Sequence, residues 1–377
     1  MSEKQLISGY ATPEGTHRFA ETVSEKGLVP ESHYRVSPLG LMLSSIGMGT
    51  YLGEQDADTN QLVEQAVATG IETGAINVFD TAINYRSQLS ERCIGRALHT
   101  LFEEGALERD QVFVASKNGY LTPDGDDERD FITYFREEYI EKDVMSTDEI
   151  AGGIHCMTPA FLDNQLERSR QNLGLGTIDL MYLHNAAESQ LKFLGRDNFM
   201  AALRDVFAYY EDARRAGAIR YYGMATWDSF LMTPERSPHY MSLEEIVLLA
   251  REVAGDDHGF KFIQLPYNFG LLEAMNSENQ QVDGKFMSTL HAAQALDVNV
   301  FTSVPLMQGQ LLELDLPRLE EIETKAQTCL QFVRSTPGII APLIGQKTPE
   351  HLAENLALAQ IPPIEWATFQ SLFSTRV

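Results

Sequence analysis

The chain has 377 residues, of which 44% are hydrophobic, and its formal net charge is -25. This size suits one large barrel with additions, while the acidity disfavours nucleic acid and anionic membranes as partners. No apolar run approaches the roughly 18 residues of a membrane span, and the N-terminus lacks a basic segment followed by an apolar one, so neither a transmembrane helix nor a secretory signal is expected.

The cysteines are few, odd in number and far apart, at positions Cys93, Cys156 and Cys329. Such spacing predicts neither a disulfide framework nor a cysteine metal cluster. The simplest interpretation is a protein of a reducing compartment, and we expect it in the cytoplasm.

Short apolar runs alternate with longer amphipathic segments along most of the chain. Eight of the runs are predicted strands, and several are almost continuously apolar, as is typical of parallel strands covered on both faces. They span residues 45–50, 76–80, 112–116, 178–183, 220–225, 262–266, 299–303 and 339–344. Eight strands alternating with helices predict an α/β fold, a closed (β/α)8 TIM barrel, with an open doubly wound sheet as the alternative.

Several of the intervening helices have recognisable caps. Thr158-Pro159 predicts a helix start, and Gly174 predicts its end. Ser242 has a glutamate three residues later, which is capping-box spacing, and Thr348-Pro349 predicts the start of the final helix.

Two regions lie outside this alternation and divide the chain. Residues 1–35 are predicted to be a polar, irregular N-terminal extension, and residues 36–377 to form the barrel, beginning with a short hairpin over residues 36–43 that closes its bottom. Residues 119–157 form a long acidic insertion after the third strand that contains the aromatic residues Phe131, Tyr134, Phe135 and Tyr139. A connection of this length is uncommon unless it is functional or disordered.

Reactive side chains follow three successive predicted strands. The second strand ends at Asp80, with Tyr85 shortly after it, the third runs into Lys117, and the fourth ends at His184. Active sites of (β/α)8 barrels form at the carboxyl ends of the strands, so we expect these four side chains to form one catalytic site.

Together the four residues suit the reduction of a carbonyl group. Tyr85 would donate a proton to the oxygen, and a nearby cationic Lys117, held by Asp80, is expected to lower the pKa of the phenol from about 10. His184 would donate a hydrogen bond to the carbonyl oxygen and orient it. Because no side chain supplies a hydride, a nicotinamide cofactor is required.

At these residues the chain resembles the aldo-keto reductase superfamily, and the likeness extends in order over roughly residues 36–361. Asp80-Thr-Ala-Ile-Asn-Tyr85 followed by Ser90-Glu91-Arg92 resembles the family's DTAxxY and SER motifs, and Val114-Ala-Ser-Lys117 its strand-then-lysine motif. Further similar segments are the stretch that ends at His184, GAIRYYGMA, Phe262-Ile-Gln-Leu-Pro-Tyr-Asn268, Pro305-Leu-Met-Gln-Gly309, and the C-terminal cofactor segment from Leu343 to Asn355.

The resemblance implies a barrel enzyme that uses NADP(H) on a small carbonyl or alcohol substrate. Because the chain departs from the family pattern, NAD(H) stays open as the cofactor, and we expect no metal. It implies Tyr85 as proton donor with Asp80, Lys117 and His184 as its partners. The cofactor-binding residues that it implies are Gly49, Thr50, Tyr51, Asp80, Ala225, Thr226, Gln264, Ser303, Pro305, Leu306, Gln308, Gly309, Gly345, Gln346, Lys347, His351, Glu354 and Asn355.

The chain departs from the family pattern around the cofactor. Ala225-Thr226 stands where many members have Ser-Asn, and Ser303 stands where many stack a tyrosine on the nicotinamide. His351 aligns with the arginine that often binds the 2′-phosphate, which leaves Lys347 as the expected cation there. The insertion falls where substrate loops lie, so the substrate is not predicted.

Two alternatives to an NAD(P)-dependent alcohol dehydrogenase or carbonyl reductase remain. The first is a cofactor-binding regulatory protein of the same fold with little turnover, which the altered nicotinamide contacts keep open. The second is a metal-dependent barrel hydrolase, which would need histidine and carboxylate clusters at strand ends, where the sequence offers only His184. The sequence does not predict an oligomeric state.

Overall fold

The computed structural model describes residues 6–317, 319, 321–365, 368 and 370. The two ends of the predicted domain division, residues 1 and 377, lie outside this described part. The strands are β1 Tyr34–Val36, β2 Met42–Ser44, β3 Gly47–Gly49, β4 Val78–Asp80, β5 Phe113–Asn118, β6 Ile178–His184, β7 Ile219–Ala225, β8 Phe260–Pro266, β9 Gln280–Val282, β10 Lys285–Met287, β11 Asn299–Ser303 and β12 Ile339–Ile344.

The α-helices alternate with the barrel strands and cover them. They are α1 Pro13–Glu25, α2 Ala57–Glu72, α3 Leu89–Glu103, α4 Phe131–Phe135, α5 Pro159–Leu173, α6 Ala186–Leu194, α7 Arg196–Arg215, α8 Leu243–Ala254, α9 Glu273–Asn276, α10 Thr289–Ala295, α11 Lys325–Ser335 and α12 Pro349–Leu358. Within the described ranges, no helix combines the length and the apolar character that crossing a membrane requires.

Eight parallel strands close into a barrel in the order β11-β12-β3-β4-β5-β6-β7-β8. This confirms the predicted (β/α)8 barrel and excludes the open sheet. The ends of each predicted strand lie within two residues of the ends of an observed barrel strand. Buried parallel strands carry continuous apolar runs, which are easy to locate in a sequence. The predicted starts of α5, α8 and α12 are also confirmed, with Thr158, Ser242 and Thr348 as their N-caps.

The hairpin β1–β2 closes the bottom of the barrel, as predicted. Its two strands pair antiparallel, with Tyr34 opposite Ser44. Leu41 and Leu43 are fully buried in one cluster with inward-facing residues of the barrel strands, among them Phe262. The barrel interior is therefore packed below the site, and the open end is the one where the strands finish.

The prediction of an irregular extension over residues 1–35 is wrong for its middle part, which forms helix α1. Thr12 caps the helix by accepting a hydrogen bond from the backbone N–H of Gly15, and Pro13 occupies the first turn. Phe19 and Val23 are buried against the barrel. The signal was present, since Thr12-Pro13 repeats the opening that identified α5, but few apolar residues follow it.

The insertion 119–157 is largely built of short helical turns. It contains α4, a π-helical turn at Arg136–Ile140 and a 3₁₀ turn at Thr147–Glu149. Tyr134 and Tyr139 are buried, and Tyr139 packs on Phe161 of α5 with ring centroids 5.5 Å apart. These aromatic residues therefore attach the insertion to the outside of the barrel.

Candidate active site

The barrel brings the four predicted catalytic residues together at one end. Asp80 is the last residue of β4, Lys117 lies near the end of β5, and His184 is the last residue of β6. Tyr85 lies in the turn that follows β4. Parallel neighbouring strands end at the same rim, so the side chains converge there.

Asp80 and Lys117 form a buried ion pair. Lys117 Nζ donates to Asp80 Oδ2 at 2.5 Å and to the carbonyl oxygen of Thr81 at 2.8 Å. The other carboxylate oxygen, Oδ1, accepts a hydrogen bond of 2.9 Å from Gln264 Nε2. Burial lowers the pKa of Lys117, but the charges and hydrogen bonds of Asp80 and Tyr85 together outweigh this effect and leave that pKa raised, so the lysine remains a cation.

Tyr85 lies directly over this pair. Lys117 Nζ is 4.7 Å from the centroid of the tyrosine ring. Burial raises the pKa of Tyr85, and the positive charge of Lys117 opposes this effect without cancelling it. The expectation that Lys117 brings the pKa of the phenol below its ordinary value is therefore wrong, because desolvation is the larger effect. Tyr85 keeps its proton at neutral pH, as a proton donor must.

The backbone after Tyr85 is strained. Arg86, Ser87 and Gln88 are consecutive non-glycine residues with φ of 49°, 54° and 73°, in the left-handed region. Arg86 fixes the turn, since its Nε donates to the carbonyl oxygen of Glu54 at 2.8 Å and its side chain also bonds Asn60. Such conformations cost roughly 1–3 kcal/mol each and cluster at functional sites.

His184 faces Tyr85 at the base of a cavity. The two rings are 6.0 Å apart at 75°, and the ring of Tyr120 contacts His184 edge-on at 4.9 Å. Burial lowers the pKa of His184 well below its ordinary value, and the nearby Lys117 lowers it further, so the imidazole is neutral. Its Nδ1 has no hydrogen-bond partner within the part of the chain that the structure describes.

The insertion supplies a second histidine behind the first. His155 is fully buried, and its Nε2 lies 2.8 Å from the backbone oxygen of His184, while Gln190 Nε2 lies 2.9 Å from its Nδ1. Gln190 donates to Nδ1, so Nε2 carries the proton and donates to His184. The ring packs onto Gly119, where an added Cβ would lie 2.6 Å from Nε2. His155 and Tyr120 were missed from the sequence because both lie in the irregular insertion.

A cavity of about 720 Å³ opens above the four residues. The residues that line it from the ends of β3, β4, β7, β8, β11 and β12 and from α12 include all but two of those predicted to bind the cofactor. These are Gly49, Thr50, Tyr51, Asp80, Ala225, Thr226, Gln264, Ser303, Pro305, Leu306, Gln308, Gly309, Gly345, His351, Glu354 and Asn355. Tyr85 and His184 also line it, whereas Lys117 lies beneath its floor.

Gln346 and Lys347 do not line the cavity. Gln346 is buried, and its Oε1 accepts a hydrogen bond of 3.2 Å from Asn355 Nδ2, so it supports a lining residue instead. Lys325 lines the cavity in place of Lys347, and its Nζ donates to the carbonyl oxygen of Leu312 at 2.8 Å. Lys325 follows a segment without motifs, so the sequence held no signal that would place it at the site.

Further lining residues that the sequence did not predict surround Tyr85 and His184. Those with large or amide side chains are Leu52, Asn84, Tyr120, Asn185 and Trp227. None of the four insertion aromatics singled out from the sequence reaches the cavity.

The model of the Aldo/keto reductase family matches residues 45–233 of the chain. Similar solved structures include an aldo-keto reductase of Bacillus halodurans, AKR11C1 in its holo form, at 17% identity and a TM-score of 0.60, covering 90% of this chain and 95% of that one. An aldo/keto reductase of Klebsiella pneumoniae in complex with NADP and acetate is similar at 18% identity and a TM-score of 0.58, covering 91% and 94%. A search of curated proteins finds no match.

Proposed function

Since this chain belongs to the aldo/keto reductase family, we propose that it reduces an aldehyde or ketone to an alcohol, or catalyses the reverse reaction, with NADP(H) as cofactor. Family membership supports an oxidoreductase. The finer assignment, an alcohol dehydrogenase type that acts with NAD(P), rests on the site. The observation that carries it is the buried pair of Asp80 and Lys117 directly beneath Tyr85, with neutral His184 beside it.

The residues along the cavity fit a dinucleotide. Its volume of about 720 Å³ lies within the range of ligand sites. Thr226 Oγ1 is buried at the wall and has no partner among the described residues, as expected where a ligand amide would bind. Toward the segments after β11, Lys325 and His351 supply basic groups for phosphates. Similar structures of Klebsiella pneumoniae enzymes contain NADP or NADPH.

When bound, the nicotinamide supplies the hydride that adds to the carbonyl carbon. Tyr85 gives its phenolic proton to the carbonyl oxygen, so that NADPH, a proton and the carbonyl compound yield NADP⁺ and the alcohol. Lys117 stabilises the phenolate that this transfer leaves, and Asp80 keeps the ammonium in place. The neutral imidazole of His184 donates a hydrogen bond to the same oxygen and orients it.

The regulatory alternative rests on the changed residues next to the nicotinamide, Ala225, Thr226 and Ser303, all of which line the cavity. A protein of this kind would bind NADPH but oxidise it only in a slow single turnover with every carbonyl compound offered.

We also propose that the protein lies in the cytoplasm, because its three cysteines are buried and unpaired and so suit a reducing compartment.

The test is Tyr85→Phe, assayed by NADPH oxidation with a panel of aldehydes and ketones and by fluorescence titration of NADPH. We expect turnover to fall by at least about 100-fold, since general acid catalysis is lost, while the Kd of NADPH stays within a few-fold. Tyr240→Phe, in which the hydroxyl is lost outside the cavity, is the matched control and should retain activity. Undiminished turnover by Tyr85→Phe would refute the assignment.

A further inference from the structure

Four apolar side chains surround the mouth of the cavity on the side of Tyr85 and His184. They are Tyr51, Leu52, Tyr120 and Trp227, and we call them the aromatic rim. The ring of Tyr51 lies 5.0 Å from the ring of Tyr85, and Tyr120 contacts His184. Trp227 follows two residues after Ala225, the strand partner of His184. The aromatic rim therefore faces the place where the carbonyl group reacts.

Three of the four side chains of the aromatic rim are exposed to solvent although they are largely apolar. Tyr51 is 57% exposed, Leu52 53% and Trp227 52%. Single exposed apolar residues need no explanation, but three around one cavity form a patch of the kind that binds an apolar ligand. Tyrosine and tryptophan also pair specifically with aromatic rings.

Two residues of the aromatic rim, Tyr120 and Trp227, are held in place by polar contacts behind them. The Tyr120 hydroxyl accepts a hydrogen bond of 3.2 Å from Asn185 Nδ2, and its ring packs edge-on against buried His155 at 5.1 Å. Glu188 Oε1 accepts hydrogen bonds from the backbone N–H groups of Trp227, Asp228 and Ser229, at 2.7, 3.1 and 3.3 Å. The fixed side chain of Tyr120 and the fixed backbone of Trp227 limit the conformational entropy that is lost when a ligand binds.

The charge on the Trp227 side of the aromatic rim disfavours anions. Among the described residues, the cavity side chains around Tyr85 and His184 include no cation, and Glu188 places a carboxylate directly behind Trp227. The basic lining residues Lys325 and His351 come from the segments after β11, where the cofactor phosphates are expected. Lys117 lies beneath Tyr85, and Arg86 and Lys347 lie beside Gly53, next to Leu52. On the Trp227 side, by contrast, a carboxylate on the substrate would lose its hydration without gaining a partner, against a chain charge of -25.

We infer that the substrate is an uncharged aromatic aldehyde or ketone, bound with its ring against the aromatic rim, and that the site rejects carbonyl compounds carrying a carboxylate or phosphate. The inference rests on the proposed function. The reaction is the proposed carbonyl reduction, and the aromatic rim decides only which carbonyl compound enters.

The experiment compares two para-substituted benzaldehydes, one with a charged and one with a neutral substituent. Terephthalaldehydic acid carries a carboxylate opposite the aldehyde, and its methyl ester carries none; propanal represents a small aliphatic aldehyde. With NADPH and the full chain, we expect kcat/KM for the ester to exceed that for the acid and for propanal by at least about tenfold each. Equal or better use of the acid, or of propanal, would overturn the inference and leave the proposed function standing. No reduction of any aldehyde despite NADPH binding would overturn both.

Two variants test the residues that carry the inference. Trp227→Ala should lower kcat/KM for the ester about tenfold more than for propanal, and Phe286→Ala, an aromatic 67% exposed on β10 away from the cavity, should not. Glu188→Gln should narrow the preference for ester over acid severalfold, because it removes the carboxylate behind Trp227 and keeps an acceptor for its N–H. Equal losses with both aldehydes in Trp227→Ala, or an unchanged preference in Glu188→Gln, would contradict the role of the aromatic rim.

Discussion

Lys117 donates to Asp80 across 2.5 Å, and the two side chains are only 0% and 6% exposed. Removing both charges from water is costly, so the pair is weak evidence for stability and strong evidence for a role. Gln264 and the carbonyl oxygen of Thr81 occupy further hydrogen-bonding positions, and Tyr85 covers the pair from above. The barrel thus places one fixed positive charge beneath the predicted proton donor.

Breaking this pair should destabilise the fold. Lys117→Met leaves Asp80 charged and unpaired, and Asp80→Asn leaves Lys117 unpaired, so each should lower the free energy of unfolding by about 3–5 kcal/mol. The double variant Asp80→Asn/Lys117→Met should recover most of that loss in urea unfolding while carbonyl reduction remains abolished. A double variant as unstable as the single ones would show that the pair is not the source of the loss.

The raised pKa of Tyr85 predicts the pH dependence of reduction. In the proposed reaction the phenol is the active form, and burial raises its pKa despite the opposing charge of Lys117. With an aldehyde that does not titrate, kcat/KM should therefore be constant from about pH 6 to 9 and should fall only above about pH 10. A rise or fall of kcat/KM near neutral pH would contradict the neutral state of His184, whose pKa lies well below its ordinary value.

His155 should make the protein sensitive to acid. Burial lowers its pKa from 6.5 to about 4, so the folded state favours the neutral ring. A lowered histidine pKa contributes stability above pH 6.5 that is lost as the pH falls toward 4, and its share amounts to roughly 3 kcal/mol. In His155→Gln, Tm should fall less steeply as the pH is lowered through this range, because the unfolded state then binds about one proton fewer relative to the folded state. His33, His184 and His258, whose pKa values are also lowered by burial, sustain the remaining slope.

The matched control for that measurement is His291→Gln, which changes an exposed histidine of α10. It should retain the acid dependence of the unaltered protein. An identical slope in His155→Gln would mean that this ring is not held neutral by the fold.

The sequence predicted the barrel well because its evidence is local. Strands buried on both faces read as apolar runs, and a residue at the end of such a run must reach the rim, which located Asp80, Lys117 and His184. Tyr120 and His155 contact this site only because the insertion folds back on it, and no spacing encodes that path. The predicted direction of the Tyr85 pKa shift was wrong for a similar reason, since the burial of the phenol depends on the whole site.

Sequence and structure differ most over the cation expected at the 2′-phosphate of the cofactor. The sequence predicts Lys347, whereas Lys325 lines the cavity. We expect Lys325→Ala to raise the Kd of NADPH about tenfold with little change for NADH, and Lys347→Ala to raise it less, in fluorescence titrations. The opposite ranking of the two variants would restore the prediction made from the sequence.

Helix α1 contacts the rest of the fold through a glycine. A Cβ added at Gly15 would lie 2.3 Å from the backbone oxygen of Asp110, which also accepts the N–H of Thr12 at 3.1 Å. Backbone cannot yield as a side chain can, so Gly15→Ala should destabilise the whole fold by roughly 1–3 kcal/mol in urea unfolding. Glu21→Ala, on the exposed face of the same helix, should cost far less. If Gly15→Ala unfolds like the unaltered protein, α1 is not docked on the barrel, and residues 1–35 would be the separate extension that the sequence predicts.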